Sequence, residues 1–139
     1  MTRQETNVAG LYLRSGGTGE TTYLLLHGLG ATGEVWQGLV DLIERNKAGR
    51  WLVPDFRGHG RSPWERPYTY DSLIGDLIPL INEAGQLVVV GHSMGGVVGL
   101  MLGGALPNVE RVLGVGIKVS WKEAEQEQMQ TLSTRPVRW

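Results

Sequence analysis

The chain has 139 residues, 41% of them hydrophobic and 19% charged, enough for one domain with its own core. A net charge of −1 gives no reason to expect nucleic acid or an anionic membrane as partner. The absence of cysteine excludes disulfides, a thiol nucleophile and thiolate metal sites.

The N-terminal residues Met1-Thr2-Arg3-Gln4-Glu5-Thr6-Asn7 are polar and lack the apolar stretch of a signal peptide. No apolar run approaches the roughly 20 residues of a membrane span. Cytoplasmic residence is the expectation. Leu11-Tyr12-Leu13-Arg14 predicts a short strand closed by Ser15-Gly16-Gly17, and Tyr23-Leu24-Leu25-Leu26 predicts a strand buried on both faces that ends at His27-Gly28. Trp36, Leu39, Val40 and Ile43 recur at helical spacing and predict an amphipathic helix over 34–46. Trp51-Leu52-Val53 is the next strand, ending near Pro54-Asp55-Phe56, and a turn-rich loop follows over 57–67. Leu73, Ile74, Leu77, Ile78 and Ile81 form a second helical stripe, in which Pro79 predicts a kink or break. A strand is expected at 86–90, a helix over 94–106 and a last strand at 112–118. Ser120-Trp121-Lys122-Glu123 then reads as a capping box before a polar, helix-prone run over 124–130.

Strands alternating with helices predict an α/β fold: a mostly parallel sheet of about five strands with helices on both faces. Such sheets carry their chemistry at the carboxyl ends of the strands. His27-Gly28, Asp55 and Ser93 all fall there in this reading.

Gly91-His92-Ser93-Met94-Gly95 is a G-x-S-x-G between a predicted strand and a predicted helix. That context presents a serine as a nucleophile on a sharp turn; the plainer reading is a serine capping the next helix. At the end of the first buried strand, His27-Gly28-Leu29-Gly30 is a flexible loop able to aim a backbone N–H at a developing oxyanion. The plainer reading is a simple turn. Asp55-Phe56-Arg57-Gly58-His59-Gly60-Arg61-Ser62 reads mainly as a structural loop, with Asp55 pairing Arg57 or Arg61, and His59 is not the expected base. A rival reading comes from Gly28-Leu29-Gly30-Ala31-Thr32-Gly33, a literal G-x-G-x-x-G with Asp55 about 20 residues on, the layout of an NAD-binding oxidoreductase.

Together the His27–Gly30, Asp55–Ser62 and Gly91–Gly96 motifs, in this order and at these separations, resemble the N-terminal part of the α/β-hydrolase superfamily, in its lipase/esterase and haloperoxidase-like branch. The resemblance implies a serine hydrolase acting on a carboxylic ester or related acyl bond through an acyl-enzyme. Ser93 is then the nucleophile, and the Leu29 and Met94 N–H groups form the oxyanion hole. Trp36 and Trp64 are candidates to line an acyl pocket, packing being the plainer role of each. No metal or cofactor is called for. Residues 1–119 correspond to the N-terminal part of the core and 120–139 to the start of a cap or lid.

The family orders its triad Ser, Asp or Glu, then His. All three histidines of this chain, His27, His59 and His92, precede Ser93. The acids that follow, Glu110, Glu123, Glu125 and Glu127, do not match the usual position. The triad acid and histidine are thus missing from these residues. The alternative is a non-catalytic chain acting by binding or assembly. Further strands normally follow the last one predicted here, so an exposed sheet edge and self-association are expected.

Overall fold

Six strands form one sheet in the order β1-β2-β4-β3-β5-β6. The structure, a computed structural model, describes residues 3–8, 10–118, 120, 122–124 and 127. The strands are β1 (Gln4–Val8), β2 (Leu11–Gly17), β3 (Thr22–Leu26), β4 (Arg50–Pro54), β5 (Leu87–His92) and β6 (Val109–Val115). The helices are α1 (Gln37–Arg45), entered through a 3₁₀ turn (Gly33–Trp36), α2 (Tyr70–Glu83) and α3 (Met94–Ala105). β4, β3, β5 and β6 are parallel, while β1 and β2 are antiparallel.

The apolar runs work as buried parallel strands because successive side chains enter opposite layers. Leu24 and Leu26 of β3 join Leu87 and Val89 of β5 beneath α2 and α3, with Leu77, Ile81, Val98 and Leu102. Leu25 and Val90 point the other way, to Val40 and Ile43 of α1 and to Trp51 and Val53 of β4. Full burial of each such side chain contributes about 1.5–3 kcal/mol, so the two layers hold the sheet between them.

The differences from the sequence-based expectation have physical reasons. β1 was not expected: its residues Gln4, Glu5, Thr6 and Asn7 are exposed, so no buried periodicity marks them. What holds it is a hairpin with β2, from Gln4 opposite Ser15 to Val8 opposite Leu11. β6 starts and ends three residues earlier than predicted. A register shift at its first pairs sets Leu87 against Val109 but Val88 against Arg111, which lets both Val109 and Val112 reach the α3 side. Pro79 sits inside α2, which runs through it without a break. Among the described residues no helix is long and apolar enough to cross a membrane. Most of the expected cap over 120–139 lies outside the described residues.

Pro79 lacks the N–H that a helix interior uses, and its ring crowds the preceding turn. Pro79→Ala is therefore expected to stabilise the fold by about 2 kcal/mol, read as a higher urea midpoint at unchanged slope.

Candidate active site

β5 ends at His92 and α3 begins at Met94, so one residue, Ser93, makes the whole turn. It does so at φ 52° and ψ −116°, outside the regions that side chains favour, at a cost of about 1–3 kcal/mol. Its amide donates to the Val115 carbonyl at 2.9 Å, which ties the turn to the end of β6. Although Ser93 occupies the N-cap position of α3, its side chain makes no capping hydrogen bond. The plain capping role is therefore not what the hydroxyl does.

The glycines around it are required by close packing. A Cβ on Gly91 would collide with the Gly95 backbone, and one on Gly95 would collide with the Leu26 carbonyl. The first turn of α3 thus rests directly on the end of β3. Its leading amides have no partner within the helix, and the helix dipole makes that end attractive to negative charge. Met94 N–H is the first of them.

The loop after β3 lies alongside. A Cβ on Gly28 would stand 3.0 Å from His92 Nδ1 and 3.4 Å from Ser93 Cβ, so this backbone packs against the serine. Residues 28–31 form a turn in which Ala31 N–H donates to the Gly28 carbonyl at 3.2 Å, with Gly30 at φ 77°. His27 is completely buried. Its Nε2 accepts the Phe56 N–H at 3.0 Å, so Nδ1 carries the hydrogen and donates it to the Gly28 carbonyl at 2.8 Å. In a trans peptide the C=O and N–H point opposite ways. With the Gly28 carbonyl held by His27 and Ala31, the Leu29 N–H faces away from the His27 ring.

The Asp55–Ser62 loop is built as a scaffold. Asp55 Oδ1 accepts the Gly33 N–H at 2.7 Å, and Oδ2 accepts the Arg61 N–H at 3.0 Å. Ser62 Oγ accepts the Tyr12 N–H at 2.9 Å and donates to the Asp55 carbonyl at 2.5 Å. The expected pairing of Asp55 with an arginine side chain is not formed. Arg57 instead makes a two-pronged pair with Asp76 of α2, at 2.6 and 2.7 Å, and this carboxylate holds the guanidinium pKa above its ordinary value. Asp76 was missed because it lies on the polar side of a helical stripe, where nothing separates it from a solvated charge.

The same hydrogen bonds bear on the dinucleotide reading. That fold needs a free carboxylate for a ribose hydroxyl. Asp55 is buried, and both of its oxygens are occupied by backbone amides.

Trp36 packs against the α1-side layer, with its Nε1 buried and unpartnered among the described residues. Trp64 lies on the 57–67 loop and is 43% exposed. The structure brings Gly28, His92 and Ser93 together; Trp36 belongs to a packing layer instead.

Comparison with known sequences decides the family. Residues 23–137 match the model described as the alpha/beta hydrolase family. The chain belongs to the alpha/beta hydrolase family. This α/β hydrolase is 37% identical over 97 residues to Lipase LipV of Mycobacterium tuberculosis, covering 68% of the chain and 36% of that protein. It is 35% identical over 112 residues to the sn-1-specific diacylglycerol lipase ABHD11 of Danio rerio, covering 78% of the chain and 35% of the relative. A pimeloyl-[acyl-carrier protein] methyl ester esterase of Pectobacterium atrosepticum is 31% identical over 109 residues, with 78% of the chain and 41% of the relative covered. The chain therefore spans 35–41% of the length of these relatives. Among solved structures, a marine microorganism esterase superposes with a TM-score of 0.74 at 25% identity, over 88% of the chain and 48% of its own.

Burial lowers the His27 pKa from 6.5 to about 4 and also lowers that of His59. The unfolded chain then binds a proton that the folded one refuses. The stability this supplies is complete above about pH 6.5 and is lost as pH falls toward 4, a change of about 3 kcal/mol for His27. Denaturant midpoints measured from pH 7 to 4 are expected to fall accordingly, with a shallower slope in His27→Gln.

Proposed function

We propose that this α/β hydrolase acts on a carboxylic ester or related acyl bond, with Ser93 as nucleophile and the Leu29 and Met94 N–H groups as oxyanion donors. The observation that carries the reading is Ser93 itself, held at positive φ between β5 and α3 with its hydroxyl spared from capping. Lipases and esterases among the relatives support the same chemistry. In this reaction Ser93 Oγ attacks the acyl carbon, and the carbonyl oxygen gains negative charge facing the two amides. The alcohol leaves with the proton taken from Oγ. Water then attacks the acyl-enzyme and releases the acid.

The proton transfers need a base, and removing the histidine from a serine protease lowers kcat by about 10⁶-fold. His27 and His59 have both ring nitrogens engaged in hydrogen bonds. His92 remains, exposed and adjacent to the nucleophile. These engagements favour, as a second reading, a chain that works by binding or assembly.

Esterolysis of p-nitrophenyl butyrate separates the two. For the 139-residue chain the expected Ser93-dependent rate, taken as the difference from Ser93→Ala, is close to zero in buffer and rises when free imidazole supplies the base. No Ser93-dependent rate even with imidazole overturns the hydrolase reading and favours the second. A robust rate without imidazole assigns the base to His92.

The partner reading concerns β6, which has no strand beyond it among the described residues. Leu113 and Val115 are 58% and 45% exposed on one flank of this edge, and Leu100 and Met101 are exposed on α3 at the other. A second copy of the chain, paired edge to edge, would cover both flanks. Light scattering is expected to give a mass above that of a monomer, and a sharp monomer overturns this.

A further inference from the structure

We infer that His59 is a positioning residue for the oxyanion loop: its imidazole fixes the orientation of the Leu29–Gly30 peptide, the neighbour of the Leu29 N–H in the 28–31 turn. The inference rests on the hydrolase reading for its purpose, but its geometry stands on the turn alone.

The Gly30 N–H donates to His59 Nε2 at 3.0 Å. His59 Nδ1 lies 3.0 Å from the Arg57 carbonyl. A carbonyl only accepts, so Nδ1 carries the hydrogen and Nε2 presents its lone pair to Gly30. The ring is buried and tilted against His27, with centroids 5.0 Å apart.

The backbone behind the ring is fixed as well. His59 N–H donates to the Phe56 carbonyl at 3.0 Å, and the His59 carbonyl accepts the Ser62 N–H at 3.1 Å. Gly58 N–H donates to the Pro63 carbonyl at 2.8 Å. The two Asp55 oxygens and the Arg57–Asp76 pair lock the loop on either side. His59 is thus a post on a rigid base.

What the post holds is a peptide plane. With the Gly30 N–H drawn toward His59, the Leu29 carbonyl must point the opposite way. His27 fixes the preceding plane through the Gly28 carbonyl. Leu29 lies between the two, so its φ and ψ are set from both ends. Without the His59 acceptor the second plane is free to rotate, since Gly30 tolerates either sign of φ. Such a rotation leaves the Leu29 N–H in the plane that His27 holds, but it reverses the dipole of the neighbouring peptide beside that donor and loosens the turn that carries it.

The test uses the full chain. In isotope-labelled protein, a scalar coupling across the hydrogen bond between the Gly30 nitrogen and His59 Nε2 is expected. His59→Leu removes the acceptor, while His59→Gln replaces the ring nitrogen with an amide oxygen at similar reach. His59→Leu is expected to shift the Leu29 and Gly30 amide resonances and to speed Gly30 hydrogen exchange. It is also expected to lower imidazole-assisted, Ser93-dependent esterolysis at saturating ester by about tenfold or more, with the half-saturating ester concentration little changed. His59→Gln is expected to restore most of both. The inference is overturned if the coupling is absent, or if Leu29 and Gly30 are unmoved in folded His59→Leu. Should His59→Leu not fold, the coupling in the parent and the rate of His59→Gln decide it. A parent chain that shows the coupling but no Ser93 chemistry counts against the hydrolase reading while leaving His59 as the holder of the turn.

Discussion

Everything in this molecule that bears on chemistry depends on how closely the first turn of α3 approaches the end of β3. Two backbones meet there with no side chain between them, because Gly91 and Gly95 leave the space empty. That contact places the leading amides of a helix, with their partial positive charge, beside the loop that follows β3. It also forces the chain to turn within a single residue, and that residue is Ser93. The strain at Ser93 persists because the parallel pairing of β3 with β5 and the Val115 anchor hold both ends of the turn.

Around this contact the chain is economical with its histidines. His27 and His59 each act as a neutral ring with a hydrogen on Nδ1 and a lone pair on Nε2, and each links one peptide of the 28–31 turn to the Asp55–Ser62 loop. Burial keeps both neutral, since the charged form loses its hydration and the attraction of Asp55 does not offset that loss. A ring used as a fixed acceptor is a poor proton carrier. The features that make these two histidines good scaffolding therefore remove them from acid–base duty, and only His92 stands outside the scaffold.

The central strands, the helices and the serine turn were legible in the sequence because burial on both faces leaves unbroken apolar runs such as Leu24-Leu25-Leu26 and Val88-Val89-Val90. The G-x-S-x-G motif was legible for a related reason, since its glycines are imposed by backbone contact. Other parts were not. β1 is held by hairpin hydrogen bonds, which any side chain permits, so Gln4 and Glu5 carry no signal. The carboxylate of Asp55 could be expected to meet a nearby arginine, yet it serves backbone amides, which have no letter in the sequence. Asp76 is partner to Arg57 only through the packing of α2 on the sheet, a contact between residues far apart in the chain.

The strand order has a consequence for how the chain reaches this state. β3 lies between β4 and β5, and its register with β5 sets Leu25 opposite Val90. The ladder that supports the serine turn thus closes only after α1, β4 and α2 have been threaded between its two halves. Local segments gain little until that long loop is closed, which makes the pairing entropically expensive and slow relative to helix formation. The site is assembled from the two most distant partners of the central sheet, so its formation carries the loop-closure cost of the whole connection between them. The strain at Ser93 is thus carried by the ladders on either side of the turn and not by the local segment alone.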